Sequence, residues 1–399
     1  MKKRVDDFAI FGGKKAFDRP LHVAQVNLPS WEEVVSSFHG IFERRYFANH
    51  GPLVRELDQC FAEFIGAEHA VCVTNGTVAL MILGKALDLS CEVIVPAFTC
   101  PATVQALSWA GLTPVLCDVD SSTQMITPET VAPHISSRTS GILGVHLWAR
   151  PCEPERLEAF AAEQGLLLFF DACHGIGCTS NSRRIGTFGT GEAFSFNARG
   201  IVNGGEGGCI TTNNAKLAAK LRTIRNFHPS ETFADVPMRM NGKMSEAQAA
   251  LALLSLKEYP KNVSANKHRY EAYRCGLSGI PDVSLLEYGL EIDNNYQYIV
   301  VEIDPKHTGL HRDIFLKLLS AEGVICRRDF YPGIHRMLPY STMLTTTDNF
   351  PVTEWLSNSI LQLPNSQVMS EGDVERICSL IQNIQQFAEP IRLKIEGTI

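Results

Sequence analysis

Residues 166–174 read Leu-Leu-Leu-Phe-Phe-Asp-Ala-Cys-His, and the fold can be worked out from them. Five large apolar residues in a row lack the alternation of a strand with one wet face. The run fits a central strand buried on both sides, and such strands belong to mainly parallel sheets with helices on each face. Asp171 ends the run. In open α/β sheets ligands bind at the carboxyl ends of the strands. A carboxylate there is either a ligand group or the cap of a helix or turn.

The flanking sequence repeats the unit. Leu53–Phe64 has apolar residues at helical spacing, and Ala70–Val73 is strand-like. Thr74-Asn75-Gly76-Thr77 follows, then a helical stretch to about Leu89. Glu92–Pro96, Thr113–Leu116 and Gly141–Val145 are strand-like; Pro101–Trp109 and Glu153–Gln164 are helical. Alternation of this kind predicts an α/β protein. After Ser245 a helical pattern through Gln248–Tyr259 and Asn266–Leu277 leads to a second domain. Tyr296–Val301, Arg312–Ala321 and Glu371–Phe387 suggest that this domain is a smaller α/β unit. The expected division is an N-terminal segment (1–50), a large domain (51–260) and a small C-terminal domain (261–399).

The 399 residues are 45% apolar and 20% charged, with a formal net charge of −7. This composition predicts a soluble globular chain with ample core and argues against nucleic acid or an anionic membrane as partner. The opening MKKRVDDFAIFGG is basic, but Asp6 and Asp7 precede any long apolar run, so it does not read as a signal peptide. No stretch approaches the length of a membrane span. The twelve cysteines follow no repeating pattern, and Cys72, Cys117 and Cys209 fall in apolar stretches. They read as free, buried thiols of a cytoplasmic protein. Cys173 and Cys178 lie five apart and no CxxC pair occurs, so no metal site is expected.

Thr74–Thr77 sits between a strand and a helix. Backbone N–H groups at a helix start, with a Thr hydroxyl, make a phosphate cup, although Gly-Thr also caps helices for structural reasons.

Residues 194–208, Phe-Ser-Phe-Asn-Ala-Arg-Gly-Ile-Val-Asn-Gly-Gly-Glu-Gly-Gly, bring these signals together. The stretch resembles the cofactor-lysine loop of the DegT/StrS family, the sugar aminotransferases that use pyridoxal phosphate (PLP). There the loop reads like Ser-Phe-x-x-Thr-Lys, then a short run, then Glu-Gly-Gly. The match runs without a gap from Ser195 to Glu206. It puts Gly200 where the Schiff-base lysine belongs and Arg199 at its Thr or Ser neighbour. The resemblance extends to the segment from Tyr46, to Gly144-Val145-His146-Leu147-Trp148 and to Asn295-Tyr296-Gln297-Tyr298, and so covers essentially the whole chain.

The resemblance implies a PLP-dependent transferase of type I fold: a large domain with a mainly parallel seven-stranded sheet, a smaller α/β domain, and active sites shared across a homodimer. It implies that Gly76, Thr77 and Ser195 grip the cofactor phosphate and that Asp171 pairs with the pyridinium nitrogen. Asp171-Ala172-Cys173-His174 resembles the family's Asp-Ala-Ala-His/Gln. His174 then reaches the phenolic-oxygen side of the ring and is the best remaining acid–base candidate. Cys100 stands where many relatives stack an aromatic ring, which removes stacking area. Asn241 matches an asparagine that reaches the neighbouring subunit's phosphate. Lys243 reads as a surface cation ahead of the capping Ser245. Tyr331 and His335 match a Tyr-x-Pro-x-His stretch near the sugar-nucleotide end, or simply pack their loop. Arg199 could bind a phosphate or carboxylate, or turn away to a surface acid.

An amine at position 200 would hold the cofactor covalently and move protons at the substrate carbon. Gly200 does neither, so ordinary transamination is not expected. Three readings stay open. One is an enzyme that binds PLP, or its amine form PMP, without a covalent bond. Another is an enzyme with no cofactor and a repurposed site for a phosphate- or carboxylate-bearing substrate. The last is a non-catalytic partner that completes the site of an active paralogue in a heterodimer. The expected substrate is a small molecule, such as a nucleotide-linked sugar.

Overall fold

In a computed structural model the chain folds as the apolar run requires; residues 2–23, 26–227, 236, 238–289, 292–344 and 348–397 are described. The central sheet has seven strands: β1 (His69–Val73), β2 (Glu92–Pro96), β3 (Thr113–Cys117), β4 (Thr139–Val145), β5 (Leu167–Asp171), β6 (Glu192–Ser195) and β7 (Gly208–Thr212). They lie in the order β1-β7-β6-β5-β4-β2-β3. Neighbours are parallel except β7, which runs antiparallel to β1 and β6.

β5 is the middle strand. Leu168 and Phe170 join one apolar core and Phe169 the other. Ile142 and Leu143 of β4 divide the same way, as do Ile94 and Val95 of β2. Successive side chains of a strand point to opposite faces, so an unbroken apolar run supplies two cores at once. One is closed by helices Pro52–Ile65 and Glu246–Lys257, the other by helices Gly76–Ala86 and Ala215–Arg225. The helix after β1 stops at Ala86 rather than near Leu89, because Asp88 adopts a left-handed φ of 53°.

The small domain is an antiparallel sheet of three strands, β8 (Val283–Leu285), β9 (Ile299–Ile303) and β10 (Ile360–Leu363), with helices Arg312–Ala321 and Glu371–Gln386 against it. The strand expected from Tyr296 begins at Ile299, because Tyr296 itself has a φ of 50°. The first residues of the chain belong to this domain's core. Phe8, Phe17 and Leu21 are buried in it, and Leu21 pairs with Val324. The buried Glu322 accepts from the Ala9 and Ala16 N–H groups at 2.7 and 2.8 Å. Helix Tyr259–Leu277 ties the halves together, with Tyr259 in the large core and Tyr273 in the small one.

Candidate active site

The carboxyl ends of β1, β2, β5 and β6 open into one cavity of about 510 Å³. Gly76 and Thr77 enter it from the helix after β1, and Cys100 and Thr103 from the turn and helix after β2. Asp171, Cys173 and His174 enter after β5, and Ser195 and Arg199 after β6. The structure thus brings together most of the residues the sequence pointed to.

Gly76 is the first residue of its helix, and Asn75 caps it by accepting the Val78 N–H at 2.8 Å. A Cβ on Gly76 would stand 2.8 Å from Ser195 Cβ and 3.1 Å from its Oγ. Only glycine lets the helix start come this close to the serine. The result is a compact cup of backbone N–H groups and hydroxyls.

Asp171 is buried at the strand end. Its Oδ2 accepts from the Thr103 hydroxyl at 2.7 Å and its Oδ1 from the Cys173 N–H at 3.1 Å. Thr103 in turn accepts from Thr99 Oγ1 at 3.3 Å. These bonds fix the carboxylate plane at the cavity floor.

His174 accepts the Trp148 N–H at Nδ1, 3.2 Å away, and its ring lies 4.4 Å from that of Tyr298. Burial pushes its pKa down to about 4, and the nearby Arg327 lowers it further against the pull of Asp171. A neutral ring with Nδ1 accepting carries its proton on Nε2. At neutral pH His174 is therefore a hydrogen-bond donor and a very weak base.

Arg199 sits at the rim, exposed. Its backbone is pinned by Asn197 Oδ1, which takes its N–H at 2.9 Å, and by Gln297, which donates to its carbonyl. Gly200 follows, its N–H bonded to the Asn197 carbonyl at 2.9 Å. A smaller polar chamber of about 120 Å³ adjoins the cavity on this side. The two share Cys100, His174, Asn197, Arg199 and Phe330; Gly200, Tyr298, Arg327 and Asp329 line only the chamber. Among the described residues no lysine lines either space.

Three expected residues stand outside both spaces. Asn241 is exposed on this chain. Tyr331 is 40% exposed, with the Arg328 guanidinium 4.3 Å from its ring centre. His335 is buried against Phe350, 3.4 Å from the Glu354 carboxylate. Lys243 lies with its amine 4.1 Å from the Phe227 ring centre. Sequence reading passed over Thr103, Tyr298, Arg327 and Asp329. Only the Thr99/Thr103 spacing around Pro101 hinted at a hydroxyl facing Asp171; the others reach the site from the small domain. The twelve cysteines are free, with Cys72, Cys117 and Cys209 buried, and no cluster fit for a metal ion occurs among the described residues.

The sheet order and the cavity at the carboxyl ends of its strands define a PLP-dependent transferase of type I fold. Residues 31–382 match the model of the DegT/DnrJ/EryC1/StrS aminotransferase family, and the chain belongs to that family. The dTDP-4-amino-4,6-dideoxy-D-glucose transaminase of Escherichia coli is 30% identical over 369 residues, 91% of this chain and 98% of that protein. GDP-perosamine synthase of Vibrio cholerae is 28% identical over 85% of this chain and 92% of its own length. The crystal structure of DesI in the presence of its TDP-sugar product superposes with a TM-score of 0.94 at 38% identity, covering 99% of this chain and all of that one.

Proposed function

We propose that this protein is a lysine-independent PLP- or PMP-binding enzyme of nucleotide-sugar metabolism, unable to carry out ordinary transamination. The observation that carries this reading is a cavity that brings Gly76, Thr77, Asp171, His174 and Ser195 together, with no lysine among the described residues on its walls. Members of the family bind PLP or PMP. The residues present fit these molecules: a fixed buried carboxylate, a compact anion cup and a neutral histidine donor. Asp171 would hold the ring nitrogen, Gly76, Thr77 and Ser195 the phosphate, and His174 Nε2 the phenolic oxygen. When bound, the cofactor supplies an electron sink for a carbon acid. Asp171 keeps that sink charged, and the cup holds the phosphate through hydrogen bonds and the helix dipole.

The relatives named above support a nucleotide-linked sugar as substrate. Arg199 at the rim supplies a fixed cation toward a phosphate or carboxylate of that substrate. The exposed Asn241 fits a homodimer in which each chain completes its neighbour's phosphate site. Twelve free thiols fit the reducing cytoplasm.

The test is an absorbance titration of the purified protein with PLP and with PMP, plus mass spectrometry of any released ligand. The expected result is saturable binding of PMP or PLP with no adduct surviving borohydride reduction. A folded protein that binds neither overturns the reading in favour of a repurposed, cofactor-free site or a partner subunit.

A further inference from the structure

We infer that Asp329 is the proton-carrying catalytic residue of this site, acting from the polar chamber that it lines together with Gly200. The inference rests on the lysine-independent reading above. A site that works on a carbon acid needs a group that can take a proton and return it.

The other groups facing the two spaces are committed elsewhere: on the main cavity wall His146 takes the Cys152 N–H at Nδ1, 3.2 Å away, and sets its Nε2 3.2 Å from the Glu192 carboxylate. Asp171 spends both oxygens on Thr103 and Cys173. His174 accepts from Trp148 at Nδ1, and its pKa of about 4 leaves it without basicity at neutral pH. Burial raises the Cys173 thiol and the Tyr298 phenol well above their ordinary values, so both stay protonated. Cys100 is also raised, by burial and then by the fields of Asp171 and Asp329. Arg199 and Arg327 keep fixed charges. Glu206 is exposed at the outer edge.

Asp329 differs from all of these. Its side chain is 15% exposed, and its ion-pair contact is Arg327 Nε at 3.4 Å from Oδ1. No hydrogen bond reaches it among the described residues. The same chamber presents Cys100 and His174, which also face the main cavity. Burial holds its carboxyl above the usual carboxylate range against the pull of Arg327, which moves it toward a working pH. As carboxylate, Asp329 accepts the proton of a carbon acid while the C–H electron pair stays on carbon. As carboxylic acid it returns a proton to the same carbon, so hydrogen exchanges there without transfer of the amino group.

The test uses PMP as probe and pyruvate as carbonyl partner. Protein loaded with PMP is placed in D2O with pyruvate, and deuterium entry into the PMP methylene is followed by mass spectrometry. Exchange should rise with pH through one ionisation, because the base form is the active one. Asp329→Asn should lower exchange at least about 100-fold while PMP affinity stays within about threefold, and Asp329→Glu should restore part of the rate. A second readout needs no cofactor. The infrared spectrum of wild-type protein should show a protonated-carboxyl band that Asp329→Asn lacks, and that band should titrate above the ordinary carboxylate range. Unchanged exchange in PMP-loaded Asp329→Asn, or no such band, overturns the role of Asp329 and leaves the cofactor reading intact. Failure of wild-type protein to bind PMP overturns the cofactor reading and this inference with it.

Discussion

A Cβ placed on Gly200 would lie 2.9 Å from the carbonyl oxygen of Val202, and 3.2 Å from that of Asn197. Both are backbone atoms of the loop itself, and a side chain cannot be accommodated without moving them. The loop is therefore drawn closed around glycine. A lysine placed at this position alone should not supply Schiff-base chemistry. Gly200→Lys is expected to lose about 1–3 kcal/mol of stability, as overpacked positions do. It should give no borohydride-stable adduct with PLP by mass spectrometry. A retained adduct would show that the loop yields.

Asp171 and Thr103 should separate by magnitude. Asp171→Asn keeps the shape and removes the charge that, on the proposed reading, would hold a bound ring nitrogen protonated. Loss of one charged hydrogen bond, at about 1.5–3 kcal/mol, corresponds to roughly 10- to 100-fold weaker PMP binding. Thr103→Val removes only the hydroxyl that orients the carboxylate, at about 1 kcal/mol or roughly fivefold. Equal losses would mean that Thr103 touches the ligand itself. No loss in Asp171→Asn would remove the carboxylate from the cofactor site.

The strands that the sequence made legible are those whose apolar runs feed two cores, above all β2 and β5. Glu92–Pro96 and Pro101–Trp109 match their sequence readings end for end. β6 and β7 are short and mixed in composition, and their place depends on pairing: β7 returns antiparallel between β1 and β6. No local pattern encodes that. The site divides in the same way. Gly76 and Asp171 stand at strand ends and could be read from position, His174 and Ser195 came only from the family resemblance, and Thr103 became visible only when the helix after β2 crossed over β5. Arg327 and Asp329 arrive from a domain whose docking the sequence does not state. The partners of the N-terminal segment, too, are not written in any local pattern. Its early residues are bound to the small domain by partners some three hundred positions away.

His174 predicts a pH dependence. Its pKa is depressed from 6.5 to about 4 in the fold. Above pH 6.5 the ring is neutral in both states and costs nothing. As pH falls through the window from 6.5 to about 4, the unfolded chain takes up a proton that the folded one refuses, so stability is lost. The loss is on the order of 2–3 kcal/mol once the window is crossed. His174→Gln keeps an acceptor for the Trp148 N–H and cannot titrate. Urea denaturation between pH 7 and pH 4 should therefore fall less steeply for the variant. Parallel curves would mean that the histidine protonates freely in the fold.

Glu322 supplies the last prediction. It is fully buried, receives the Ala9 and Ala16 N–H groups and pairs with Lys2 at 2.8 Å. One carboxylate thus holds residues 2–16 against the small domain, while Phe8 and Phe17 add apolar burial beside it. Glu322→Ala leaves two backbone donors and an ammonium without their partner. Removing one side of a buried charged contact costs about 3–5 kcal/mol. Water can reach the segment once it loosens, so a value near the lower end is expected, together with faster proteolysis within residues 2–17. Neither Glu322 nor its partners line the cavity or the chamber, so PMP binding by the folded variant should match wild type. Unchanged proteolysis would assign the anchoring to Phe8 and Phe17 alone. Lost PMP binding would instead make the N-terminal anchor part of what positions the small domain over the cavity.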